Sequence, residues 1–82
     1  MKGYSYVYIL VSDANPEHYY VGLTDDLEAR LNKHNKGDVA HSAKYRPWSI
    51  KTATAFRDRK QAAAFETYLK SASGRAFATK RL

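Results

Sequence analysis

The chain has 82 residues, 14 Lys and Arg against 8 Asp and Glu, and a formal net charge of +6. That length suits one small domain over 1–82, and a 44% apolar share is enough for a packed core, which excludes a disordered chain. Without cysteine there is no disulfide scaffold or thiolate zinc site, and no stretch approaches the roughly 20 apolar residues of a membrane span.

Residues Tyr4 to Val11 read as a strand, an unbroken run of aromatic and β-branched side chains. The run is too short for a secretory core and enters turn chemistry at 12–17, where Pro16 ends extended pairing, so a cytoplasmic protein is expected. Tyr19 to Leu23 is a second strand, near enough for an antiparallel hairpin with a longish loop. Thr24 is the expected N-cap of a helix running to about Asn35, with Asp25 and Asp26 in its first turn and Leu27 and Leu31 facing inward. Gly37 suits its termination. A polar loop holding His41 and Lys44 follows, and the Arg46-Pro47 pair imposes extended backbone. Trp48 to Phe56 reads as a third strand, with Trp48, Ile50, Thr52, Thr54 and Phe56 on one face. Asp58 and Gln61 open a second helix whose buried stripe is Ala62, Phe65 and Leu69. A break over 71–74 precedes a short final helix from Arg75. The order β-β-α-β-α-α defines an α/β (α+β) fold, a three-stranded antiparallel sheet flanked by helices.

The residues that carry chemistry fall in a fixed order: Tyr6-Val7-Tyr8, Tyr20-Val21-Gly22, Arg30, His34 and Glu66. A phenol can take a proton from water, a guanidinium can neutralise charge developing at phosphorus, and a carboxylate can hold a hard divalent cation. Arg30 and His34 are four apart and project from one helix face. Tyr8 and Tyr20 share a sheet face if the register allows.

This ordered set resembles the GIY-YIG nucleases, specifically their small stand-alone bacterial members and the catalytic N-terminal domain of excision-repair nucleases. Tyr6-Val7-Tyr8 stands where that family has Gly-Ile-Tyr, and Tyr20-Val21-Gly22 where it has Tyr-Ile-Gly. The resemblance implies a GIY-YIG-like fold and a metal-dependent DNA endonuclease leaving a 5′-phosphate and a 3′-hydroxyl, with DNA repair or processing as the setting by analogy. It implies Tyr8 as general base or as the group that positions and activates the attacking water, Tyr20 positioning the phosphate or the water, and Arg30 stabilising the phosphorane. His34 would assist proton transfer or hold Tyr8, Gly22 would permit close backbone approach, and Glu66 would ligate Mg²⁺ or Mn²⁺. Several members carry an asparagine about a dozen residues after the glutamate. Here 74–80 contains none, and Arg75, Thr79 or Lys80 stands in that region.

The charge distribution favours a polyanionic partner, the alternative being a solvated basic face that keeps a small protein soluble. From Arg57 onward there are seven Lys or Arg against two acids, while the first 56 residues hold seven against six. DNA is the expected polyanion, with RNA as the alternative, and Lys44, Arg46, Lys70, Arg75, Lys80 and Arg81 are candidate phosphate contacts. A monomer or weak homodimer is expected, with no membrane partner.

The same residues have ordinary readings. Arg30 could pair with Asp26, although exposed pairs contribute at most about 1 kcal/mol. Glu66 and Lys70 have the favourable i,i+4 orientation. Tyr4 and Tyr6 read as half-buried sheet residues, Trp48 as core, His18 as a turn residue and His41 as a loop residue. The rival function is a catalytically weak nucleic-acid-binding module using the same cleft and the basic C-terminal segment.

Overall fold

The computed structural model describes residues 2–82. In chain order it contains strands β1 (Ser5–Ser12) and β2 (Tyr19–Thr24), helix α1 (Leu27–Lys36), and a 3-10 turn at Ala43–Tyr45. Strand β3 (Trp48–Phe56) and helices α2 (Arg59–Leu69) and α3 (Ala72–Arg81) follow. The sheet is antiparallel throughout, in the order β2-β1-β3. This is the α+β architecture expected from the sequence.

The apolar run of β1 takes the central position because both its faces are covered, and residues 5–10 are all buried. Val7 and Ile9 pack with Ala62 and Leu69 of α2, joined by Phe65, Ala78 and Leu82. Tyr8 and Leu10 face the other way, onto Trp48, Leu27, Leu31 and Tyr45. Each buried Leu or Ile stabilises the fold by about 1.5–3 kcal/mol. One side of the sheet therefore carries α1, and the other carries α2 and α3.

Strand β3 departs from a simple alternation. Its register against β1 shifts between Ile9 and Leu10, where Ile9 pairs with Thr52 but Leu10 with Ile50. Lys51 is thus an extra residue, a β-bulge that turns the strand over. Trp48 and Ile50 share a face with Tyr8, whereas Thr52, Thr54 and Phe56 share a face with Val7 and Ile9. The single face expected for those five residues is divided in two.

Two helix starts also differ from expectation. Asp26, not Thr24, is the N-cap of α1, its carboxylate accepting from the Ala29 N–H at 3.1 Å. Thr24 forms the turn just before it, accepting from the Asp26 N–H through its hydroxyl at 3.1 Å. Helix α3 begins at Ala72 rather than Arg75, because the Ser71 hydroxyl accepts from the Gly74 N–H at 3.1 Å and caps it early. Gly74 is buried there, and a Cβ would collide with the Tyr68 carbonyl, so the α2–α3 corner requires glycine. The remaining caps follow the reading, with Gly37 left-handed at φ 83° after α1 and the Asp58 carboxylate accepting from the Lys60 N–H.

Side chains fasten the layers to one another. Asn35 at the end of α1 accepts from the Trp48 N–H at 2.6 Å and donates to the Trp48 carbonyl at 3.1 Å, which fixes where β3 starts. Asp25 pairs with Arg59 at 2.6 Å, joining the starts of α1 and α2. Both ions are largely exposed, so this pair orients more than it stabilises.

Candidate active site

Strand pairing builds the site. Tyr8 is opposite Gly22 and Leu10 opposite Tyr20, so Tyr8 and Tyr20 project from the same sheet face. Their rings stack with centroids 6.4 Å apart. The Tyr8 phenol lies across Gly22, where an added Cβ would collide with its hydroxyl and ring. This is the physical reason for glycine at that position. The tyrosine reaches from the central strand over its neighbour toward the sheet edge.

Helix α1 lies over this face and brings His34 down onto both tyrosines. His34 is fully buried, its ring 4.5 Å from that of Tyr20 and 5.9 Å from that of Tyr8 by centroids. Its Nε2 is 3.1 Å from the Tyr8 hydroxyl, and its Nδ1 is 2.7 Å from Ser42 Oγ. Ser42, also fully buried, directs its hydroxyl toward the Val39 carbonyl at 3.3 Å. A Ser42 hydroxyl that donates to that carbonyl leaves its Oγ to accept from His34 Nδ1–H, and in this tautomer Nε2 accepts from the Tyr8 O–H.

The electrostatics agree with this arrangement. Burial lowers the His34 pKa below its usual value, and the nearby Arg30 charge lowers it further, both favouring the neutral imidazole. Burial pushes the Tyr8 phenol up to about 12, opposed by Arg30 and reinforced by Tyr20 and Glu66. Tyr8 is accordingly a protonated donor, and Arg30 and Glu66 both lie within electrostatic reach of it. Asp26 uses its carboxylate to cap α1 rather than to pair with Arg30.

Glu66 projects from α2, on the opposite layer. Its side chain is 23% exposed and pairs with Lys70 at 3.1 Å. Among the described residues no group of three or more His, Asp or Glu stands together as a metal cage. A lone, partly open carboxylate still fits Mg²⁺ or Mn²⁺, because such ions keep most of their waters and take phosphate oxygens as further ligands.

The expected phosphate contacts divide. A cleft of about 580 Å³ runs along β2 from Tyr20 and His41 to Lys70 and Arg75. Lys44 instead lies over the Tyr45 ring at 5.6 Å. Arg46 folds back over Gly37 and donates from Nε to the Ala43 carbonyl at 2.7 Å. Lys80 and Arg81 are exposed on the last turn of α3, apart from the cleft lining. Ser42 is not singled out by the sequence, and His18 and His41, expected as turn and loop residues, both line the cleft. Only the folded loop brings Ser42 under α1, and no motif spacing marks it.

Tyr8, Tyr20 and His34 are in mutual contact, and Arg30 and Glu66 act on Tyr8 electrostatically from the two sides of the sheet. A family model of the GIY-YIG catalytic domain matches residues 4–81, and the chain belongs to that family. Among curated proteins no relative matches it. Membership implies a nuclease-type domain with a nucleic-acid substrate, in a family that generally depends on a divalent metal. No helix among the described residues is long and apolar enough to cross a membrane.

Proposed function

We propose that the chain is a DNA endonuclease that hydrolyses a phosphodiester to a 5′-phosphate and a 3′-hydroxyl, and that Tyr8 works as a proton relay rather than as a standing phenolate. The observation that carries this reading is the buried Tyr8–His34–Ser42 chain of hydrogen bonds. With its pKa pushed up to about 12, Tyr8 is almost wholly protonated near neutrality. It does not need to ionise first. As water attacks phosphorus, its proton passes to the Tyr8 oxygen while the phenolic proton passes to His34 Nε2. The new P–O bond forms, the bond to the 3′-oxygen breaks, and that oxygen takes up a proton from solvent.

Arg30 neutralises charge on the non-bridging oxygens, and Tyr20 orients the phosphate against Tyr8. Ser42 holds His34 in the tautomer that accepts. Glu66 would hold Mg²⁺ or Mn²⁺, which when bound supplies Lewis-acid stabilisation of phosphate charge. Lys70 holds only one of the two Glu66 oxygens, Oε2, which leaves Oε1 for the ion.

The Glu66–Lys70 pair is also what favours the second reading, a nucleic-acid-binding module with little turnover. A labelled panel of single-stranded, duplex, flapped and four-way DNA separates the two. Nuclease function predicts cleavage in Mg²⁺ or Mn²⁺ that stops in EDTA and falls at least about 100-fold in Glu66→Ala. Salt-sensitive binding with no cleavage in any metal would leave the binding module standing.

A further inference from the structure

Beyond the cleft, the groove continues under α3. A second cavity of about 310 Å³ shares Tyr19, Val21, Leu69 and Arg75 with the cleft that begins at Tyr20. Its walls are mainly apolar, with Ile9 and Val21 from the sheet and Leu69 and Ala78 from the helices. Cations flank the mouth: Arg75 and Lys51 line the crevice itself, and Lys70 lines the adjoining cleft. Among the described residues no carboxylate lines the crevice, and Glu17 is the one carboxylate lining the adjoining cleft. Tyr19 stands at the mouth with 55% of its surface exposed, and the Lys51 ammonium sits 5.4 Å from its ring centre.

An apolar slot behind a cationic rim suits a flat, uncharged group carried on an anionic chain. Its volume is at the lower end of small-ligand sites, which run from about 300 Å³ upward. A nucleobase attached to a phosphodiester backbone has both properties. A base inside a duplex is stacked and paired and cannot enter, so only an unpaired or extruded one qualifies.

We infer that this crevice receives one unpaired nucleobase of the strand being cut, with Lys70 and Arg75 on the adjoining phosphates. The inference rests on the nuclease reading, and it names the substrate class: strands that are single or locally opened beside the scissile phosphate. Sequence preference at that position is weak, since apolar walls and a tyrosine ring contact any base through its π-face. The bulge at Lys51 acquires a use, because it brings that lysine to the Tyr19 side of the sheet.

The test is binding rather than turnover, so that it succeeds or fails independently of catalysis. Fluorescence anisotropy in EDTA would compare labelled single strands carrying one abasic site at successive positions with the intact strand and with its duplex. The protein would be wild type and Thr79→Trp, a rim substitution at an exposed position that fills the crevice. Lys51→Ala serves as a second variant should Thr79→Trp fail to give a native circular dichroism spectrum. The expected result is that one abasic position weakens wild-type binding roughly tenfold. Thr79→Trp should lose a similar factor on the intact strand, with no further loss when the two changes are combined. Duplex should bind more weakly than single strand and be indifferent to the substitution. A flat abasic scan, equal loss on duplex, or unchanged binding by a folded Thr79→Trp would each overturn the inference. Cleavage of the same oligonucleotides in Mg²⁺ reports separately on the nuclease reading.

Discussion

At the residue scale the proposed relay rests on a chain of three hydrogen-bonded side chains. Tyr8, His34 and Ser42 are each at most 1% exposed, which shields their hydrogen bonds, and the proposed relay requires substrate binding to open the Tyr8 oxygen to the attacking water. In the proposed relay Ser42 is a positioning residue: it touches His34 and not Tyr8, and through His34 would set which nitrogen accepts. His34 must be neutral to accept. Burial and Arg30 hold its pKa below the usual 6.5, so cleavage should stay level as pH falls through 6.5 and decline only below it. The same depressed pKa contributes stability that is present above 6.5 and is lost as pH falls through the folded-state value. A Ser42→Ala variant removes the acceptor for Nδ1–H. It should lower kcat roughly tenfold or more with little change in KM. It should also alter the acid limb of the pH profile, which a purely structural defect would leave in place. An acid limb identical to that of wild type would show that Ser42 only fills space.

At the element scale, the hairpin of β1 and β2 puts Tyr8 over Gly22, and this contact explains a glycine that the sequence alone leaves ambiguous. Replacing Gly22 by Ala must push the phenol off its line to His34. We expect a loss of about 1–3 kcal/mol in stability, read as a lower urea midpoint, and a larger proportional loss of activity. A Gly22→Ala protein with native stability and rate would mean that the phenol has no fixed position.

Much of this architecture was readable beforehand because its signals are local. The doubly buried β1 is an unbroken apolar run, β3 alternates, and Gly37 and Asp58 mark helix ends by backbone chemistry. What escaped was set by tertiary pairing. The Lys51 bulge carries no Gly or Pro to announce it, and it arises from matching β3 to both helical layers. Thr24 and Asp26 are both competent caps, and the position at which α1 can settle on Tyr8 and Leu10 decides between them. The order and spacing of Tyr8, Tyr20, Arg30, His34 and Glu66 were legible. The contribution of Ser42 was not, because it depends on a loop folding back eight residues beyond His34.

For the whole molecule, α1 covers one face of the sheet, α2 and α3 cover the other, and β2 forms one edge. Helix α1 supplies Arg30 and His34 from one side of the sheet, and α2 supplies Glu66 from the other. The cleft along that edge gathers Lys70 and Arg75, whereas Arg46 is committed to the end of α1 and Lys44 to Tyr45. Net charge alone does not make this distinction. Arg75→Ala should weaken binding to all DNA sequences alike and reduce the slope of log affinity against log salt by about 1. Arg46→Ala should leave that slope unchanged. Equal effects from the two substitutions would mean that diffuse charge, not the cleft, holds the polyanion.

The most direct test of the proton relay is the single-turnover rate of Tyr8→Phe on a saturating cleavable DNA in Mg²⁺, beside wild type. Removal of one hydroxyl leaves the ring that packs on Tyr20 and Gly22. The account predicts a native fold, unchanged DNA affinity and a rate at least about 100-fold lower. A folded Tyr8→Phe protein that cuts within a few-fold of wild type would contradict it, and the attacking water would have to be activated elsewhere.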